Sequence, residues 1–252
     1  MVALVACGGP GSERVVVAAG TSLVDSGLMD ALADQYESAN PGVDVSVVGE
    51  ASAQVLELGR RGAADVLVTH APALEEAFLA DGLAELSEIA FTSEFVLVGP
   101  PALEDRLRGT IEDVLIEIAA GELEFVSRGD GSGTHEREVE LWNAAGIDPG
   151  GEPWYRKTGQ GMGLTLIVAD QRLAITLSER GSFVAAADQL DLQVLDVSAG
   201  PGLLNPYRVT LVVGRTAAAA DFAKWLIDGA PAGLSELNRS LFDEDDIYRP
   251  AD

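Results

Sequence analysis

The sequence predicts an α/β protein folded as two lobes with a ligand cleft between them. Short apolar runs such as Val15-Val16-Val17-Ala18-Ala19 and Asp65-Val66-Leu67-Val68-Thr69 alternate with segments whose apolar residues recur at helical spacing. Strands alternating with helices imply a mostly parallel sheet covered on both faces. The run Phe95-Val96-Leu97-Val98 stops at Gly99-Pro100, a second α/β series follows, and Val209 to Val213 returns as a strand. A chain that crosses twice between two lobes leaves a cleft with a hinge. Thr21, Ser22, Ser52 and Thr69 all fall at the ends of predicted strands, and ligands of such sheets bind outside the carboxyl ends.

Taken in order, the Val15–Ala19 strand ends in Gly20-Thr21-Ser22, and Leu28, Leu32 and Tyr36 mark a helix that stops at Asn40-Pro41-Gly42. Val43 to Val48 alternates as a second strand, and Ser52 stands where it would cap a helix carrying Val55, Leu56 and Leu58. The third strand, Asp65 to Thr69, turns through His70-Ala71-Pro72 into a helix from Leu74. Beyond Pro100 come a helix near Thr110 to Ala120, a strand over Glu124 to Ser127 and a helix from Ser132. After Trp154-Tyr155, the turn Gly159-Gln160-Gly161-Met162-Gly163 leads into a helix reaching Ala169. That turn lacks the spacing of a dinucleotide fingerprint. Strands at Leu173–Leu177, Leu192–Leu195 and Val209–Val213 and a helix over Ala217–Leu226 complete the pattern. The expected division is a tether over 1–12, a first lobe over 13–91 plus 198–252, and a second lobe over 92–197.

At 252 residues and 47% apolar composition, the chain has enough material for one large core or two small ones. A formal charge of −25 argues against binding nucleic acid or an anionic membrane surface, since both need basic patches. It also repels anions at long range, so any anion must be held by short, desolvated hydrogen bonds. The single cysteine, Cys7, excludes an internal disulfide. Leu4-Val5-Ala6-Cys7 has the small-residue pattern of a lipid-modified cysteine, with Gly8 to Ser12 as a flexible tether. Neither a basic region nor a full apolar region precedes it, which leaves a truncated lipoprotein signal or an ordinary cysteine near a terminus. The tether and the otherwise cysteine-free chain favour the first. No other segment approaches the roughly 18 apolar residues of a membrane span.

The most informative segment is Ser127-Arg128-Gly129-Asp130-Gly131-Ser132-Gly133-Thr134-His135, which packs one fixed cation, three hydroxyls and three glycines between a strand and a helix. Such a turn presents backbone N–H groups to an oxyanion, and Arg128 adds a planar, permanent donor. Asp130, two residues on, competes for the same guanidinium. Gly20-Thr21-Ser22 and Ser52 supply further hydroxyls at two other helix starts. Ser132, His135 and Asp130 also invite a hydrolase reading, but the glycines of a nucleophile elbow are missing, with Asp130 and Thr134 in their places. No spacing matches a zinc site, and Asp243-Glu244-Asp245-Asp246 lacks the glycine of a calcium loop, so it reads as a solvated charge run.

These residues together resemble the tungstate-binding proteins of bacterial and archaeal ABC importers, of the TupA type. The resemblance runs from about Val15 to about Tyr207. It is carried by Thr21-Ser22 with Asp25-Ser26-Gly27-Leu28, Ala64 to Pro72, Phe95 to Pro100 and, most specifically, Ser127 to His135. Leu141-Trp142, Trp154-Tyr155, Gly159 to Met162, Thr176 to Gly181 and Leu204-Asn205-Pro206-Tyr207 follow in the same order. It implies a type II periplasmic-binding-protein architecture that binds tungstate or molybdate between the lobes. Thr21, Ser22 and Ser52 would contribute from the first lobe, and Arg128, Ser132 and Thr134 from the second. It further implies a non-catalytic, extracytoplasmic monomer without cofactor or protein metal ligands. Its partners would be a permease with its ATPase, and the membrane through Cys7 only. Two departures weight oxyanion binding above tungstate preference. Ala19-Gly20 precede Thr21-Ser22 where the family has threonines, and Ala53 stands where it tends to have glycine. The contrasting readings are an oxyanion-ester hydrolase using Ser132 and His135, and an anion sensor without a transporter.

Overall fold

The computed structural model describes residues 12–198 and 200–251; the expectation at Cys7 lies outside the described residues. The first lobe opens with β1 (Glu13–Gly20), the five-residue α1 (Thr21–Asp25), α2 (Leu28–Ala39), β2 (Val43–Glu50), α3 (Ser52–Arg60), β3 (Val66–Thr69) and α4 (Pro72–Ala80). The long β4 (Ala84–Gly99) follows and leads into α5 (Ile111–Ala120), β5 (Phe125–Ser127), α6 (Gly133–Ala144), β6 (Tyr155–Lys157) and α7 (Met162–Arg172). Next are β7 (Thr176–Glu179), α8 (Arg180–Ala186) and β8 (Gln193–Val194), before β9 (Leu204–Val212), α9 (Ala217–Asp228), α10 (Leu234–Phe242) and β10 (Arg249–Pro250).

Local chemistry accounts for the better-defined element ends. The α2 helix buries Leu28, Met29, Leu32, Ala33 and Tyr36 along one face, and Asn40 ends it by donating its side-chain amide to the Tyr36 carbonyl at 2.9 Å. Thr110 caps α5 by accepting from the Asp113 N–H. The strand expected from Leu173 begins three residues later, at Thr176. Helix α7 runs on to Arg172 and ends with Leu173 at φ 51°, so that residue cannot extend into the sheet.

The sheet is mixed, where the sequence pattern implied a mostly parallel one. Strands β2, β1 and β3 run parallel, as do β5 and β6. By contrast, β9 is antiparallel to β3 and β4, and β4 is antiparallel to β7, β8 and β10. The cause is the 16-residue β4, which leaves the first lobe paired with β9 and enters the second paired with β7 and β8. Its first half, from Ala84 to Ile89, is half-buried or exposed and therefore carries little apolar pattern in the sequence. Only its buried second half, Phe95 to Gly99, reads as a strand.

The apolar cores separate along the same line. Val15, Val17, Leu28, Val68, Tyr207, Phe222 and Tyr248 share one cluster, which joins both ends of the described chain. Phe95, Leu97, Ile111, Phe125, Trp142, Trp154 and Ile175 share another, extended by Val98, Val126, Met162 and Leu166 in an adjoining one. Asp243, Asp245 and Asp246 of the acidic run near the carboxyl end are exposed, as expected of a solvated run, and the run also makes specific pairs. Glu244 and Asp246 pair with Arg180, Asp245 pairs with Arg239, and Asp243 at φ 57° ends α10.

Candidate anion-binding site

The first-lobe face of the site follows from strand order. With β1 lying between β2 and β3, and Gly20 in register with Glu50, Thr21-Ser22 and Ala51-Ser52 emerge side by side. His70 emerges after β3 on the other flank. Ser22 and Ser52 are buried. The capping role expected of Ser52 is corrected: the cap of α3 is Ala51, Ser52 is the first helical residue, and its buried Oγ has no protein partner. Gly20 likewise caps α1 without a side-chain bond. The initial N–H groups of both helices therefore lack a capping side chain. Thr69 has a different fate, since its hydroxyl donates to Glu75 at 2.7 Å.

The second-lobe face is the loop after β5. Gly129 and Gly131 turn it with φ of 63° and 73°, values that side-chain-bearing residues rarely adopt. The Gly159 N–H and the Thr158 hydroxyl brace it from behind by donating to the Arg128 carbonyl at 2.7 and 3.2 Å. Arg128 is only 1% exposed, and its guanidinium has three separate engagements. Nε and Nη2 donate to Asp130 Oδ2 at 3.1 and 2.6 Å, Nη2 also reaches Thr21 Oγ1 of the opposite lobe at 3.0 Å, and buried Nη1 has no protein partner. Arg128 thus braces its own loop with one edge and keeps one donor free. Asp130 completes the brace by accepting from the Ser132 N–H at 3.1 Å. Arg128 and that N–H hold its carboxyl below the usual range against the upward push of burial. Ser132 caps α6, accepting from the His135 N–H, while the buried Thr134 Oγ1 lacks a partner.

The lobes meet closely around these groups. A Cβ on Gly133 would stand 2.5 Å from the His70 carbonyl oxygen and 2.7 Å from its ring, so only glycine lets α6 approach that far. His70 is held by Asn205 Oδ1 at 2.9 Å, Asn205 donates to the Tyr207 hydroxyl at 2.9 Å, and that hydroxyl lies 3.4 Å from Ser22 Oγ. Burial pushes the His70 imidazole down to about 4, so it is neutral at pH 7 and adds no charge to the cleft. The role of His70, Asn205 and Tyr207 as a backing to Ser22 was not evident from the sequence. The alternation of Asn205 and Tyr207 along one strand face is the one local signal that places them together.

A buried carboxylate lies behind the second face. Glu138 on α6 accepts from the Tyr155 hydroxyl at 2.6 Å, and burial raises its carboxyl to about 7. A hydrolytic arrangement is absent from the loop. Ser132 Oγ is bonded to the backbone N–H of His135, and the His135 ring accepts from the Gly131 N–H at 3.0 Å. The imidazole is therefore turned to the loop backbone and makes no hydrogen bond with Ser132 Oγ. A separate cavity of about 490 Å³ lies at the lobe junction, lined by Phe95, Leu97, Phe183, Val194 and Leu203 with Arg180 beside it. None of the anion-site residues lines it.

Residues 8–229 match the family model of the PBP superfamily domain. The tungstate-binding protein TupA of Peptoclostridium acidaminophilum is 35% identical over 243 residues, covering 91% of this chain and 80% of that protein. A Haloferax volcanii relative is 39% identical over 208 residues, and the chain spans only 60% of its length. Two solved structures extend the likeness to the fold. The tungstate ABC transporter structure from Geobacter sulfurreducens is 36% identical with a TM-score of 0.76, over 92% of this chain and 98% of that one. TupA from Desulfovibrio alaskensis G20 is 30% identical with a TM-score of 0.78, over 95% and 99%.

Proposed function

The chain belongs to the PBP superfamily and, within it, to the family of TupA-type proteins, and from that premise we propose that it is the substrate-binding component of an ABC importer. Its cargo is tungstate, with molybdate the competing ligand of equal charge, captured between the lobes and delivered to a membrane permease driven by an ATPase. The protein acts outside the cytoplasm as a monomer, anchored through Cys7, binds cargo without a cofactor, and catalyses nothing. Among the described residues no helix is long and apolar enough to cross a membrane.

One observation carries this reading. Ser52 Oγ from the first lobe and Arg128 Nη1 and Thr134 Oγ1 from the second are all buried and lack a protein partner. Leaving such a group unpaired costs about 1–3 kcal/mol, and a compact dianion offers acceptors to all three. The guanidinium only donates, so an unprotonated oxyanion suits it, whereas protonated phosphate would set one donor against others. Thr21, Ser22 and Ser132 complete the ring in this proposal. Asp130 balances the Arg128 charge, so the selectivity comes from placed hydrogen bonds and from the fit of the closed cleft. Calorimetry with tungstate, molybdate, sulfate and phosphate tests it. Stoichiometric heat with tungstate is expected, and no heat with either tungstate or molybdate would sink the proposal.

A further inference from the structure

Behind the first-lobe donors stands a fully buried carboxylate that does not face the proposed ligand. Glu179 ends β7, and its Oε1 accepts from Ser93 Oγ at 2.5 Å and from the Gly181 N–H at 3.0 Å. Its Oε2 accepts from the Ser182 N–H at 2.9 Å and lies 3.2 Å from both the Ser182 and the Tyr248 hydroxyls. These donors come from three parts of the chain: the crossing strand β4, helix α8 and the carboxyl-terminal segment. Two of them also reach α1. Ser182 Oγ lies 3.4 Å from the Ser22 carbonyl oxygen. The Tyr248 hydroxyl lies 3.0 Å from Ser26 Oγ, which donates to the Leu23 carbonyl at 3.2 Å.

Helix α1 has only five residues, far too few to hold its own position. Its place, and with it that of Thr21 and Ser22, must be set by what packs behind it. Tyr248 is well fixed for that task. Asn238 binds both its N–H and its carbonyl, and β10 adds a short antiparallel pairing to β4. Arg249 pairs with Glu94, and Glu244 and Asp246 with Arg180. A Cβ at Gly181 would come within 2.5 Å of the Tyr248 hydroxyl, so the hydroxyl occupies a slot that glycine alone leaves open.

We propose that Glu179, Ser182 and Tyr248 are positioning residues for the first-lobe anion donors, and that the strap from Glu244 to Pro250 is part of the binding apparatus. This rests on the oxyanion-binding reading above. It assigns a binding role to residues that touch no ligand, acting from the second lobe and the chain end on a helix of the first.

The test is calorimetry with sodium tungstate on the full chain, alongside the melting temperature without ligand. Tyr248→Phe keeps the ring and removes only the hydroxyl, and it should weaken affinity about tenfold, or about 1.4 kcal/mol. Ser182→Ala should act similarly, and the double variant should lose less than the product of the two, because both work through one carboxylate. Leu226→Ala, a core truncation on α9 of the same lobe, supplies the comparison: a lower melting temperature with affinity unchanged. Should Tyr248→Phe fail to fold, Ser182→Ala decides by the same criterion. Variants that melt earlier yet bind tungstate within twofold of the unmodified protein overturn the assignment alone. An unmodified protein that binds neither tungstate nor molybdate overturns the functional reading and this assignment with it.

Discussion

The two faces of the cleft reach the same end by opposite routes. The second-lobe face is built from nine consecutive residues, and its internal bonds span two to four positions: Arg128 to Asp130, Ser132 to Asp130, His135 to Ser132 and Gly131 to His135. The first-lobe face is assembled from a distance. Ser22 is backed by Tyr207, 185 positions away, and Ser26 by Tyr248, 222 positions away. A local loop carries its geometry with it. An assembled one holds its geometry only while the rest of the lobe is folded around it. One face is thus a mostly local cation loop braced from behind by Thr158 and Gly159, and the other a hydroxyl wall supported from distant parts of the chain.

The sharpest way to separate the faces is by pH, because each has a buried titratable group behind it and the two shift in opposite senses. Glu138, behind the second face, has its carboxyl raised from 4.5 to about 7. The folded protein keeps a proton there that the unfolded chain releases, so this group's contribution to stability falls as pH rises from 4.5 to 7. His70, beside the first face, is lowered from 6.5 to about 4. The unfolded chain holds the extra proton in this case, so its contribution is present above 6.5 and lost as pH falls through about 4. Each amounts to something on the order of 3 kcal/mol, and between pH 4.5 and 6.5 they oppose. Urea denaturation at several pH values should show Glu138→Gln gaining on the unmodified protein as pH rises. His70→Gln should lose ground over its own window. Differences of the same sign would break the comparison.

A smaller effect is expected from the guanidinium. Arg128→Ala should weaken tungstate binding by about 2 kcal/mol, the size of a charge-assisted hydrogen bond. Arg128→Lys keeps the charge but cannot hold Asp130, Thr21 and an anion in one plane, so it should recover only part of that loss. Equal affinity for the alanine variant and the unmodified protein would show that Nη1 is not used and that Arg128 serves its loop alone.

The same contrast explains what was legible in the sequence. The Ser127–His135 loop could be read almost whole, including the rivalry between Asp130 and a ligand for Arg128, because its bonds are short in sequence. That Arg128 holds both Asp130 and Thr21 and leaves Nη1 without a protein partner was not readable, since Thr21 lies 107 positions away. In the sequence Gly133 was legible only as one of three loop glycines, and its reason for being glycine is the His70 carbonyl across the cleft. Thr69 and Ser52 both stood at strand ends in the sequence, yet Thr69 donates to Glu75 while Ser52 Oγ has no protein partner. The two-lobed α/β pattern was visible in the strand and helix periodicities. The antiparallel half of the sheet was not, because the exposed part of β4 is held by pairing to β9 and not by burial.

Ser132 and Ser52 offer the finest discrimination, since both are serines at helix starts and only one is a cap. Ser132→Ala removes an N-cap and should lower the stability of the ligand-free protein by about 1 kcal/mol. Ser52→Ala removes a buried hydroxyl that has no protein partner, so the ligand-free protein should lose nothing and gain about 1 kcal/mol, the low end of the cost of an unpaired buried group. With tungstate present the ranking changes, because the advantage of Ser52→Ala disappears if its hydroxyl binds the anion. Thermal melts of both variants with and without tungstate read this directly. A Ser52→Ala protein that is stabilised by tungstate as much as the unmodified one would remove Ser52 from the site. The first-lobe wall would then consist of Thr21 and Ser22, placed by the residues behind them.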